Sequence, residues 1–155
     1  MVVTCPVAPL CPAAVARHGG TLTGLAAPSR VLLIEADEAV AAALSRALGR
    51  RGWTVLCAFT AKAGLRLQAE WAPHVVLLAP DLPDMAVGGL VARLAGQRGC
   101  GILVLCGYED DDLRRAVLEQ GAHDVMNKPM RASDVAARVR AVQRRLGQPV
   151  PERLP

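Results

Sequence analysis

The sequence predicts an α/β domain: five parallel strands covered by helices on both faces. Three observations predict it. Apolar runs of strand length recur at 31–34, 54–57, 75–79, 102–106 and 124–127, their starts 23, 21, 27 and 22 residues apart. Each gap holds a helix-like segment, at 38–50, 60–71, 88–97 and 110–120, and a fifth follows at 133–146. The run VVLLA at 75–79 is short and continuously apolar before it breaks into PDLPDM, as a strand buried on both faces does where it meets a loop. Regular strand–helix alternation means a parallel sheet, and right-handed crossovers leave few ways to thread it. Five strands in about 115 residues fit the flavodoxin-like (βα)5 order 2-1-3-4-5.

Residues 1–29 are rich in Pro, Ala, Gly and Thr without periodicity, so a flexible extension is expected there. The domain is expected over 30–146. Its first helix is stopped at Gly52. The fourth opens on Asp110, Asp111 and Asp112, where carboxylates favour the helix dipole, and stops at Gly121. In the fifth, Val135, Val139, Val142 and Leu146 share one face. Ser133 is its expected N-cap, and Gly147 then Pro149 end it. Residues 147–155 are expected to be a short disordered tail.

Composition narrows the function classes. The chain is 52% hydrophobic but only 3% aromatic, so its core must be Ala, Val and Leu. No apolar stretch approaches the roughly 18 residues of a membrane span. The first twenty residues lack a basic head and carry prolines where a signal peptide is apolar, so a cytoplasmic location is expected. The five cysteines are an odd number, best read as free thiols in a reducing compartment. Cys5, Cys11 and His18 lack metal-ligand spacing, and a solvated Pro/Ala-rich segment is the preferred reading. The net charge is +4, and residues 131–155, with six Arg against Asp134 and Glu152, carry all of it. That basic helix suits an acidic partner or nucleic acid, but a solvated face is preferred because no aromatic or Gly-rich element accompanies it.

In the predicted order, the carboxyl ends of strands one, three, four and five meet at one crevice. They deliver Glu35-Ala36-Asp37, Ala79, Cys106 and Lys128-Pro129. The stretches VLLIEADE, PHVVLLAPDLPDM, GILVLC and QGAHDVMNKPMRASDVAARVRAV lie in this order along 31–142. By them, residues 30–146 resemble a response-regulator receiver domain of the CheY-like superfamily. The look is that of receivers of winged-helix (OmpR/PhoB-type) regulators.

The resemblance implies a strand-three aspartate that takes a phosphoryl group from a histidine kinase. It also implies two acids holding Mg²⁺, a Ser or Thr ending strand four, and a lysine after strand five. The underlying chemistry is phosphoryl transfer by positioning: a carboxylate nucleophile, a hard cation, and polar contacts for the developing charge.

This chain departs from that set. Ala79 stands at the phosphoacceptor position, and Ala36 replaces the acid that binds metal directly. Cys106 replaces the hydroxyl residue, and its thiol is a poor donor. Val125 replaces an aromatic switch residue. Glu35, Asp37 and Lys128 remain, with Asp81 two residues past Ala79. An alanine forms no acyl phosphate. At most weak Mg²⁺ binding at Glu35, Asp37 and Asp81 is expected, with no cofactor. Lys128 is expected to pair with Glu35 or Asp37, and the family often has the following Lys–Pro bond cis. Cys106 beside Lys128 is either a redox thiol or a small buried hydrophobe.

The expected function is that of a stand-alone pseudo-receiver in two-component or phosphorelay-type signalling, not an enzyme, acting by protein contact without Asp phosphorylation. Two alternatives stand beside it: a receiver phosphorylated at a substitute acid such as Asp81, and a basic nucleic-acid-associated module using helix five. Nucleic acid is the less expected partner. The resemblance also implies a homodimer face on helix four, strand five and helix five. There Arg114 would pair with Asp134, and Asp124 with Arg138.

Overall fold

A computed structural model describes residues 29–107 and 110–151. The strands are β1 (Arg30–Ile34), β2 (Thr54–Ala58), β3 (Val75–Leu78), β4 (Gly101–Cys106) and β5 (Asp124–Asn127). They form one parallel sheet in the order β2-β1-β3-β4-β5, as the alternating pattern requires. The helices are α1 (Glu38–Gly49), α2 (Ala61–Trp71), α3 (Val87–Ala95), α4 (Asp111–Glu119) and α5 (Ala132–Arg145).

Strand side chains alternate between two cores. Leu32, Ile34, Val76, Leu78, Ile102 and Val104 face α2, α3 and α4, with Leu90, Leu94 and Val117 packed on them. Val31, Leu33, Val75, Leu77, Leu103 and Leu105 face α1 and α5, with Leu48, Trp53 and Val139. Both faces are apolar because both are covered, which explains why the strands read as unbroken apolar runs. Gly64 marks how tightly α2 sits on the sheet: a Cβ there would come within 2.3 Å of Ile34 Cδ1.

Asp110 caps α4 through Leu113 N–H at 2.9 Å, and Gly121 follows that helix at φ +117°. Gly147, at φ +64°, follows α5.

Four expectations are corrected. Ser133 does not cap α5: the helix begins at Ala132, its N-cap is Arg131, and no side chain bonds the first turn. Leu146, expected on the buried face, is 36% exposed, because the helix has already ended. Residues 147–151 are not a loose tail. Gln143 Nε2 donates to Pro149 O at 3.0 Å, Gln148 Nε2 donates to Gly99 O, and Pro151 packs on Gly52. Ser29, assigned to the extension, is buried and belongs to the domain, its carbonyl accepting from Thr54 N at 2.9 Å. The rest of the extension, with Cys5, Cys11 and His18, lies outside the described residues, as does 152–155.

Candidate functional site

Three backbone bonds continue the sheet past the strand ends. Glu35 N donates to Ala58 O at 3.0 Å, Ala79 N to Ile34 O at 2.9 Å, and Lys128 N to Cys106 O at 2.8 Å. They gather Glu35, Ala79, Cys106 and Lys128 at the carboxyl pole of the sheet, where a parallel α/β fold keeps its chemistry.

Glu35 is only 5% exposed. Its Oε1 accepts from Asp37 N at 3.0 Å, and its Oε2 lies 3.4 Å from Lys128 Nζ. The lysine, 38% exposed along its side chain, thus neutralises the buried carboxylate from the solvent side. The Lys128–Pro129 peptide is cis. Asp37 takes no part in this pair. It is the N-cap of α1, its Oδ1 accepting from Ala39 N at 2.9 Å and Val40 N at 3.1 Å. Ala79 is buried at 1% exposure, and Ala36 beside it is half-buried.

These residues do not fit a divalent cation. A hard cation takes charged oxygens, and the two nearest carboxylates are already engaged, one by an ammonium group and one by helix N–H groups. Ala36 offers no side-chain oxygen, and Asp81 is exposed on the loop. Among the described residues, no cluster of three metal-ligating side chains exists.

Cys106 is fully buried. Burial pushes its thiol above the ordinary range and Asp110 adds to this, against the opposing charges of Arg114 and Lys128. Of the two readings of Cys106, this supports the small buried hydrophobe over the redox thiol: desolvation outweighs the cation.

The second acid of the PDLPDM loop has a task that sequence reasoning missed. Asp84 reaches across to the start of α2, where its Oδ1 accepts from Ala61 N at 2.8 Å and its Oδ2 from Lys62 N at 2.9 Å. These bonds, the one from Lys62 foremost, hold its carboxyl below the usual carboxylate range. The available signal was an α2 opening on Thr60-Ala61-Lys62 with no acid in its first turn, so the anion its dipole favours had to come from elsewhere.

On the α4–β5–α5 face, Arg138 Nη1 bonds Asp124 Oδ2 at 3.0 Å within the chain. This pair is thus made inside one copy. Arg114 and Asp134 are exposed and form no ion pair among the described residues. Val125 is buried at 3% exposure in β5.

Comparison with known proteins agrees with this architecture. The family description "Response regulator receiver domain" matches residues 31–140. The transcriptional regulatory protein KdpE of Mycobacterium tuberculosis is 35% identical over 128 residues, covering 79% of this chain and 57% of that protein. The transcriptional regulatory protein AfsQ1 of Streptomyces coelicolor is 35% identical over 115 residues, covering 74% and 51%. The chain thus spans about half the length of these relatives. Among solved structures, a CheY-like receiver domain protein from Methanospirillum hungatei superposes with a TM-score of 0.75 at 23% identity, covering 78% of this chain and 98% of that one.

Proposed function

The chain belongs to the response regulator receiver domain family, and on that premise we propose that it is a pseudo-receiver, signalling by protein contact without aspartyl phosphorylation. The observation that supports this reading is Ala79: buried at the end of β3, it puts a methyl group where phosphoryl transfer needs a carboxylate. The neighbouring acid is tied to Lys128, so the pocket holds its own charge balance without a metal. No chemistry is then catalysed, and a cytoplasmic setting among protein partners follows from the same reading. No described helix is long and apolar enough to cross a membrane.

A receiver uses phosphorylation to shift a two-state surface towards its assembling form. Without that input the surface rests in one state. We read that state as a homodimer through α4, β5 and α5, with Arg114 facing Asp134 of the second copy. Because Asp124 and Arg138 already pair within the chain, they set the shape of the face rather than cross it.

The test is incubation with a small-molecule phosphodonor and Mg²⁺, read by intact mass. No gain of one phosphoryl group is expected. A gain lost in Asp81→Asn would replace this reading with phosphorylation at the substitute acid. For the dimer, sedimentation should show concentration-dependent association weakened by Asp134→Arg and partly restored by adding Arg114→Asp. A wild type that stays monomeric at high micromolar concentration would remove the dimer from the proposal.

A further inference from the structure

Charge is sorted along the strand axis. In a parallel α/β sheet every helix runs back against the strands, so helix C-termini gather where the strands begin. At this amino pole α1 runs out into Arg50 and Arg51, α3 into Arg98, and α5 ends in Arg144 and Arg145. The ordered segment after α5 links these ends. Pro151 lies on Gly52, beside Arg51; Gln148 bonds the carbonyl of Gly99, beside Arg98; and Gln143, beside Arg144, bonds Pro149 O. All but the half-buried Arg51 are exposed, and none forms an ion pair among the described residues. The connections and last helical turns at this pole hold only Glu70 and Glu119 as described acids.

We propose that this amino pole is a docking surface for the phosphate backbone of duplex nucleic acid, independent of sequence and of the pocket at the other end of the sheet. Guanidinium groups present a planar fork of donors that matches phosphate oxygens. Arginines spread over three helix ends suit a ladder of phosphates better than one small anion. No described aromatic side chain is exposed there to stack on a base (Trp53 is buried and Trp71 half-buried), so the contact reads backbone and not sequence. A second copy of this chain is the competing partner, because Asp81, Asp111 and Asp134 at its carboxyl pole are exposed. The other acids there are engaged, Asp37, Asp84 and Asp110 as helix caps and Glu35 with Lys128, and three scattered carboxylates match the arginines less well than a continuous ladder of phosphates. The surface differs from a solvated helix-five face in drawing on α1 and α3 as well.

Fluorescence anisotropy with a short labelled DNA duplex of arbitrary sequence tests it on the full chain. If about four phosphates are neutralised, affinity should fall about a hundredfold between 50 and 200 mM salt. Arg144→Glu with Arg145→Glu should weaken binding at least tenfold and flatten the salt slope by about 1.8. Arg50→Glu with Arg98→Glu should do the same, with melting curves close to wild type. Arg115→Glu with Arg131→Glu, at the opposite pole, should bind within about twofold of wild type. No binding at 50 mM salt, or an equal loss in the opposite-pole variant, overturns the proposal. So does displacement of DNA by polyglutamate at matched charge, which points to an acidic protein. Pole variants that abolish self-association instead of DNA binding assign the surface to a second copy.

Discussion

The two ends of this sheet are made by the same five strands and have been treated in opposite ways. At the carboxyl pole, few polar groups meet: Ala36, Ala79 and the buried Cys106 lie at or just past strand ends, and one 3.4 Å ion pair joins Glu35 to Lys128. At the amino pole, polar side chains are abundant and bonded. Trp53 Nε1 donates to Gln143 Oε1 at 3.1 Å, while Gln143 Nε2 donates to Ser29 Oγ and Pro149 O. Arg30 donates twice to Ala72 O and stacks over Trp71. His74 Nδ1 accepts from Arg30 N, the first residue of β1, at 2.9 Å, and His123 Nδ1 from Ile102 N, the second residue of β4, at 3.0 Å. The difference separates what a fold needs from what a reaction needs. A catalytic carboxylate is held in a crevice at a cost in stability, and its loss leaves the sheet intact. The amino-pole bonds satisfy buried groups, and their loss would be felt throughout.

The largest effect should therefore come from the amino pole. Gln143 is fully buried in the apolar stripe of α5 and bonds Ser29, Trp53 and Pro149. Gln143→Ala leaves a cavity and unpairs the Trp53 and Ser29 groups, so a loss of about 3 kcal/mol is expected. Chemical denaturation measures it, and a loss below about 1 kcal/mol would break the comparison.

Restoring the carboxyl pole should come next. Ala36→Asp with Ala79→Asp adds two carboxylates beside Glu35, so without metal the domain should lose about 2 kcal/mol. Mg²⁺ should then raise the melting temperature of the double variant and not that of the wild type. Identical melting curves with and without Mg²⁺ would show that these positions do not converge.

Both poles were unequally legible. The strands were readable because burial on both faces leaves apolar runs, and so was the place of Ala79, just past the end of β3 where the apolar run breaks. The pairing of Lys128 was narrowed to two acids, and the capping role of Asp37 decides between them. What could not be read was any side chain acting across the fold. Asp84 bonds residues 22 and 23 positions away, and Gln143 bonds Trp53 from 90. Local pattern carries no record of such partners, although a glutamine one turn past Val139 on an apolar stripe is a hint of a buried polar bond. Ser133 failed as a cap because Ala132 entered the helix first.

The amino pole should also set the acid side of the stability curve. Burial, with the charge of Arg30 beside His74 and of Arg145 beside His123, holds both imidazoles below their ordinary value. The unfolded chain then binds protons that the folded chain refuses. Stability is full above about pH 6.5 and falls as pH drops below it. His74→Asn and His123→Asn keep an acceptor near Nδ1 without the titration, so together they should flatten the melting temperature between pH 7.5 and 5.5. An unchanged slope in the double variant would mean that other groups govern it.

The smallest effect should be at the ion pair the pocket has kept. Lys128 is over a third exposed, so solvent screens its attraction to Glu35. Glu35 is buried and keeps its bond from Asp37 N whether or not the lysine is there. Lys128→Met should therefore cost about 1 kcal/mol, mostly as an uncompensated carboxylate, while Glu35→Gln, which retains an acceptor and removes the charge, should cost less. The double variant should restore part of the difference, giving a coupling energy below about 1 kcal/mol. A coupling of several kcal/mol would mean that this pair, and not the amino-pole network, ties the ends of β1 and β5 together. The carboxyl pole would then be a structural centre in its own right.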